Sequence, residues 1–256
     1  MFRGVPLLAF ISLIATGLLA WEYFISDSQA FFFSRPSEIY AATISVFSSG
    51  EPWTDIGASV SATLLGLAYG TVFAIAATVL LVPIQFLRRY YKAVVVAVGA
   101  VPILGVAPLF LIWFGVGLEL KVALSAVMTF LAVALGSLIP FAQKYDELQM
   151  FRKANTLELF PYLFKIGVPT GIESLLAPVP SAISAAFLGV FVGEFVSANH
   201  GIGYKILRTG ALFQTDFLLA WSLIAALFLA SGFILLKFMT GIITIGIQRL
   251  SVARLA

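Results

Sequence analysis

From Ile56 to Ile84 the chain runs 29 residues without a charged side chain. A helix of about 20 apolar residues crosses the hydrocarbon core of a bilayer. A run this long and this apolar therefore restricts the chain to a few kinds of fold. It is also not alone: the sequence reads as six such spans, at about 5–25, 56–84, 93–116, 120–141, 171–196 and 217–243. With 61% hydrophobic and 11% charged residues in 256, there is more apolar surface than a water-soluble domain can bury. The runs are continuous rather than alternating, which excludes a transmembrane barrel. The expectation is an all-α membrane protein of about six transmembrane helices in one domain, 1–256.

Between the first two spans, "RPSEIYAATISVFSSGEP" reads as a short helix lying in the membrane interface. Ser34 is its expected cap, Pro36 suits a first turn, and Tyr40, Ile44 and Phe47 form an apolar stripe of helical period. The first span follows a single Arg3, is longer than a signal-peptide core and shows no small-residue cleavage site, so it is read as a retained helix.

Charges report orientation. Arg3, Arg88, Arg89, Lys92, Lys144, Arg152, Lys153, Lys165, Arg249 and Arg254 fall on one side of a six-span array. Arg35, Lys121, Lys205 and Arg208 fall on the other, and Lys237 lies within the last span. The excess of Lys and Arg puts the first side, with both termini, in the cytoplasm. The net charge of +3 gives no reason to expect a nucleic-acid partner, and membrane lipid is the expected surroundings. Without cysteine there are no disulfides or thiolate metal sites. No phosphate-binding glycine motif is present, so no cofactor is expected on this chain.

Few residues offer chemistry. Glu194, near the outer end of span five, is an ionisable group at membrane depth and hence a functional candidate. It either faces a substrate path or is an interfacial carboxylate paired with Lys205 or Arg208. His200, the only histidine, has no carboxylate cluster beside it and reads as part of an external turn. Ser197 and Asn199 are available to hydrogen-bond a passing solute. Pro102 and Pro108 bend span three where it lines a cavity, and Trp113 near its end is an interface anchor or a stacking surface. An enzyme would need convergent His, Asp, Glu or Ser groups at one depth, which the sequence does not supply.

The segment "DELQMFRKANTLELFPYLFKIGVP", 146–169, lies on the cytoplasmic side in this reading. Its core, 147–160, has no Gly or Pro, and Asp146 is its expected N-cap. It reads as a separate polar helix across the inner mouth of two spans.

Three longer stretches carry a family resemblance: "RPSEIYAATISVFSSGEPWTDIGASVSATLLGLAYG", "AVPILGVAPLFLIWFGVGLELKVAL" and "IGVPTGIESLLAPVPSAISAAFLGVFVGEFVSANHGIGYKI". In order and spacing they resemble the integral permease subunit of a bacterial ABC importer of the nitrate/sulfonate/taurine type. The resemblance implies a type I importer permease, multi-pass in the bacterial inner membrane and without catalytic activity. It implies a second permease copy, ABC ATPase subunits carrying ATP and Mg, and a periplasmic or lipid-anchored solute-binding protein. It also implies that the polar segment is the coupling helix that docks on the ATPase. The family's Glu-Ala-Ala positions fall on Met150, Phe151 and Arg152, followed by Lys153, and its glycine on Thr156. None of these letters match, so the likeness there is of place and length. Either the ATPase groove is altered to match, or this subunit couples weakly beside a second permease; the first is the expectation. The competing reading is an ion-gradient-driven secondary transporter built on Glu194, which would want broken helices or inverted repeats.

Overall fold

The computed structural model describes residues 5–26, 32–50, 52–154, 158–197 and 199–253, without the side chains of 5–8, 150, 151, 153, 154, 160, 197 and 248–253. Among these residues every regular element is helical. α1 is Val5–Phe24, α2 Pro36–Ser48, α3 Pro52–Leu81, α4 Gln85–Gly99, α5 Ile103–Phe114 and α6 Leu118–Ala154. One helical path then runs through α7 (Leu159–Tyr162), a wide turn at Leu163–Gly167 and α8 (Val168–Leu176). α9 (Val179–Ser197), α10 (Ile202–Ala211) and α11 (Thr215–Ala253) complete the chain.

Four helices (α3, α6, α9 and α11) are each long and apolar enough to cross a membrane, and α4 with α5 make a fifth candidate bent by 95°. α1, 20 residues long and exposed at its described residues except Glu22, covers the remaining expected span. The contacts decide how the bent pair is used. Ser59, near the start of α3, and Lys121, near the start of α6, both hydrogen-bond Glu194. Thr78, near the end of α3, lies 3.4 Å from the Ser137 hydroxyl, far along α6. α3 and α6 therefore run parallel, and the chain between them must return to its starting level. The α4–α5 pair is that return. Its break at 100–102 has a local cause: Pro102 has no N–H and forces the residue before it out of helical conformation. Pro108 sits inside α5 without a second break.

α6 is the central helix because glycines on its neighbours let their backbones approach. A Cβ on Gly70 of α3 would lie 2.5 Å from the Ala126 carbonyl, and one on Gly189 of α9 2.6 Å from the Leu124 carbonyl. Close approach of this kind is how helices associate where lipid removes the hydrophobic drive. At the end marked by Thr78, a core of Tyr91, Val95, Phe141, Tyr145, Leu163 and Leu175 closes the bundle. At the other end, α2 buries Ile39, Ala42 and Val46 while Tyr40, Ile44 and Phe47 stay exposed. The stripe seen in the sequence thus faces outward, as on an interfacial helix.

Several local expectations are corrected. Ser34 does not cap α2; it is buried and donates to the Thr215 hydroxyl at 2.9 Å, while Arg35 is the cap residue and its amide donates to Glu38. The basic turn at 88–92 is already inside α4. Span four does not end near Phe141, because nothing between Phe141 and Ala154 breaks a helix. Asp146 is therefore mid-helix, and its carboxylate accepts from Arg88 at 2.8 Å instead of capping a new helix. Residues 147–154 are the last turns of α6. The expected span 171–196 divides between α8 and α9, with Ala177 and Pro178 at the junction.

Candidate functional site: a buried ion cluster behind the Gly-Ile-Gly-Tyr turn

The first amides of α10 have no acceptor within their own helix. Here three consecutive ones are taken by side chains of two other helices. Gly201 N donates to Asp55 Oδ1 at 2.8 Å, Ile202 N to Ser59 Oγ at 2.8 Å and Gly203 N to Glu194 Oε2 at 2.7 Å. Asp55 and Ser59 sit one turn apart on α3, so both face the same target. Two carboxylates at a helix N-terminus also meet the positive end of its dipole.

The acids are balanced. Lys121 Nζ donates to Glu194 Oε1 at 3.1 Å and to the His200 carbonyl at 2.8 Å, and Ser59 Oγ donates to the same Glu194 oxygen at 2.7 Å. Lys205 Nζ lies 3.3 Å from Asp55 Oδ2 and 6.0 Å above the Trp221 ring. Glu194 is 1% exposed, Asp55 3% and Lys121 8%, so these are desolvated charges that persist only because each has a counter-charge and hydrogen bonds. The glycines follow from this geometry. Gly201 has φ +131°, and a Cβ there would fall on the Glu194 carboxylate; one on Gly203 would lie 2.9 Å from Glu194 Oε2.

The partner of Glu194 is thus Lys121 of α6, not Lys205 or Arg208. Arg208 is exposed on a polar cleft of about 420 Å³ that also has Asp55, Lys205, Gln214 and Trp221 in its walls. His200 contributes its backbone carbonyl and not its ring. The sequence reading missed Asp55, Ser59 and Lys121. Lys121 carried a usable signal: it is the sole charged residue of the expected span 120–141.

The other expected path residues are elsewhere. Trp113, 63% exposed, packs beside Phe110 with ring centres 5.7 Å apart. It lines an apolar groove of about 520 Å³ with Met128 and Leu131, and Glu194 is not among its walls. Pro102 is at the α4–α5 break and Pro108 is exposed on α5. Ser197 closes α9, and its side chain is outside the described residues. Of the expected coupling residues, Met150, Phe151, Arg152 and Lys153 lie on the last turns of α6; only the Arg152 side chain is described, and it is half-buried. Thr156 lies outside the described residues. Beyond it the chain folds back: Tyr162 OH donates to the Leu148 carbonyl at 2.6 Å. Burial pushes the Tyr162 hydroxyl above its usual range, which keeps it a donor.

Four helices long and apolar enough to cross a membrane, a bent return pair between parallel α3 and α6 and a charge-balanced cluster at one end describe an all-α membrane protein. No family model matches the chain. Among curated proteins it is 29% identical to the formylaminopyrimidine transport permease protein ThiX of Halalkalibacterium halodurans, over 82% of this chain and 83% of that one. It is 28% identical to the riboflavin transport system permease protein RibX of Chloroflexus aurantiacus, over 75% and 71%. The taurine transport system permease protein TauC of Escherichia coli is 24% identical over 66% and 61%. The chain is therefore similar, along most of its length, to permeases of binding-protein-dependent ABC importers of the sulfonate/taurine/nitrate type. These relatives are transport permeases and not enzymes.

Proposed function

We propose that this chain is the transmembrane subunit of an ATP-driven importer in the bacterial inner membrane. It forms the path for a small solute handed over by a periplasmic or lipid-anchored solute-binding protein. The observation that carries this reading is the similarity to transport permeases over four fifths of the chain. Two copies line the path at their shared interface, both termini are cytoplasmic, and ATP and Mg are held by partner ATPase subunits. The last turns of α6, with Met150, Phe151, Arg152 and Lys153, and the following Thr156 supply the ATPase contact. An aromatic plug at Phe151 and a cation at Arg152 suit an apolar groove with an acidic rim.

The solute is a sulfonate- or nitrate-like anion or a vitamin-precursor-like compound; the relatives are named for formylaminopyrimidine, riboflavin and taurine. The pairing of Glu194 with Lys121 favours this over an ion-gradient carrier: a carboxylate already neutralised by a buried lysine has no charge free for a coupling ion. The same pairing removes the repulsion that a bare Glu194 would offer to an anion. Pro102 and Pro108 shape the wall of the path and Trp113 offers it an aromatic surface. Ser197 lies at its outer end, and Glu194 acts there as a positioning residue through the turn it holds.

The test is co-purification with the ATPase encoded nearest to it, together with uptake in cells. Retention of the ATPase, its loss in Phe151→Ala/Arg152→Ala, and uptake that stops on ATP depletion but survives an uncoupler are expected. Uptake abolished by the uncoupler while ATP is maintained would overturn the reading in favour of an ion-driven carrier.

A further inference from the structure

Away from the ion cluster, one cleft gathers like charges. α4 leaves the end of α3 at 82–84 and lays Arg88, Arg89 and Lys92 along α6, enclosing about 350 Å³ that is also walled by Ile139, Gln143 and Asp146. Arg88 is spent on Asp146, at 2.8 Å. Arg89 and Lys92 are exposed and make no ion pair among the described residues. The cleft therefore carries two cations in excess of its one carboxylate.

Its position along the bundle narrows the ligand. The charge-free run that begins in α3 ends at Leu87, just before Arg88, and the apolar run of α6 ends at about Phe141, so the cleft sits where hydrocarbon gives way to headgroups. Ile139, 49% exposed, forms its apolar wall. On the neighbouring face of α4 the rings of Phe86 and Tyr90 pack with centres 4.6 Å apart, tilted by 54°, and are exposed, as aromatic side chains are at a membrane interface. Excess cations above an apolar wall describe an anionic amphiphile. A free phosphate would use the cations and leave Ile139 bare.

We infer that this cleft between α4 and α6 binds the headgroup of an anionic phospholipid, with Arg89 and Lys92 on the phosphate and an acyl chain against Ile139. Basic pockets between membrane helices recognise lipid headgroups on this principle. Because Arg88 ties the same turn of α4 to Asp146, the bound lipid clamps the return helix to the polar end of α6.

The full-length chain in a neutral detergent is titrated with phosphatidylglycerol or phosphatidylcholine and read by native mass spectrometry. One phosphatidylglycerol retained in preference to phosphatidylcholine, and not displaced by equimolar inorganic phosphate, is expected. Arg89→Ala/Lys92→Ala weakens retention about thirtyfold, from the usual contribution of two surface cations. Arg89→Gln/Lys92→Gln, which keeps much of the aliphatic stems, does the same at an unchanged melting temperature. Lys165→Ala/Lys237→Ala removes equal charge elsewhere and retains the lipid. Equal retention of the two lipids, equal loss in the control pair, or full displacement by phosphate overturns the proposal, the last by showing a free-anion site.

Discussion

Replacing Glu194 by glutamine keeps its size and removes its charge, leaving Lys121 buried without a counter-charge. Breaking a buried pair in this way costs about 3–5 kcal/mol. Glu194→Gln is expected to lower the melting temperature of the purified chain, and Lys121→Met/Glu194→Gln to recover part of the loss. A double variant no more stable than the single would show that the pair is not the source of the effect. Gly203→Ala drives a methyl towards Glu194 Oε2 and the Phe191 ring, both on side chains able to shift only at the expense of the cluster. It is expected to cost about 1–3 kcal/mol by the same assay. At this scale the sequence was partly legible. Glu194 stood out because an acid in an apolar run demands an explanation. Its partner did not, because Lys121 is 73 positions away and Lys205 is the nearer lysine in sequence. Asp55, in the first turn of α3, and Ser59, one turn further on, carry no signal of their own in the sequence, and only the return of α10 gives them amides to hold.

Among the elements, the seam between α3 and α6 depends on small residues at particular places. Gly70→Ala sets a Cβ against the Ala126 carbonyl and is expected to destabilise by about 1–3 kcal/mol. Gly241→Ala in α11 meets nothing within 4 Å and is expected to be neutral or slightly stabilising, since alanine favours helix. Thermal unfolding of the two variants side by side checks the contrast; equal effects would remove the seam as the cause. Hydropathy marked the apolar stretches that hold α3, α6, α9 and α11, because length and apolarity set that signal, but it joined α8 to α9 and ended the fourth span too early. Pro102 announced a bend, but not that the bend would reach 95°. The polar run expected as an independent helix over 147–160 is, as far as Ala154, the continuation of α6. Its first residues are good helix formers, and a helix with no breaker continues, so Asp146 had no N-terminus to cap.

For the molecule as a whole, orientation is open to a direct measurement, since the chain contains no cysteine and any one introduced is unique. Asn199→Cys, beside the ion cluster, is expected to react with an impermeant maleimide added to intact cells. Glu147→Cys, near the polar end of α6, is expected to react only after permeabilisation. The reverse pattern would invert the topology read from the lysines and arginines. A last consequence concerns leverage. The cluster pins α3, α6 and α9 together near one level, so a rocking motion that leaves it intact has its fulcrum there. Asp146 lies 25 residues along α6 from Lys121, about 37 Å at the helical rise. A tilt of about 5° would then move the polar end by about 3 Å while hardly stirring the pinned end. α6, which continues through Pro140 as one helix, would thereby turn a barely visible rotation at one end into a stroke of side-chain size at the other.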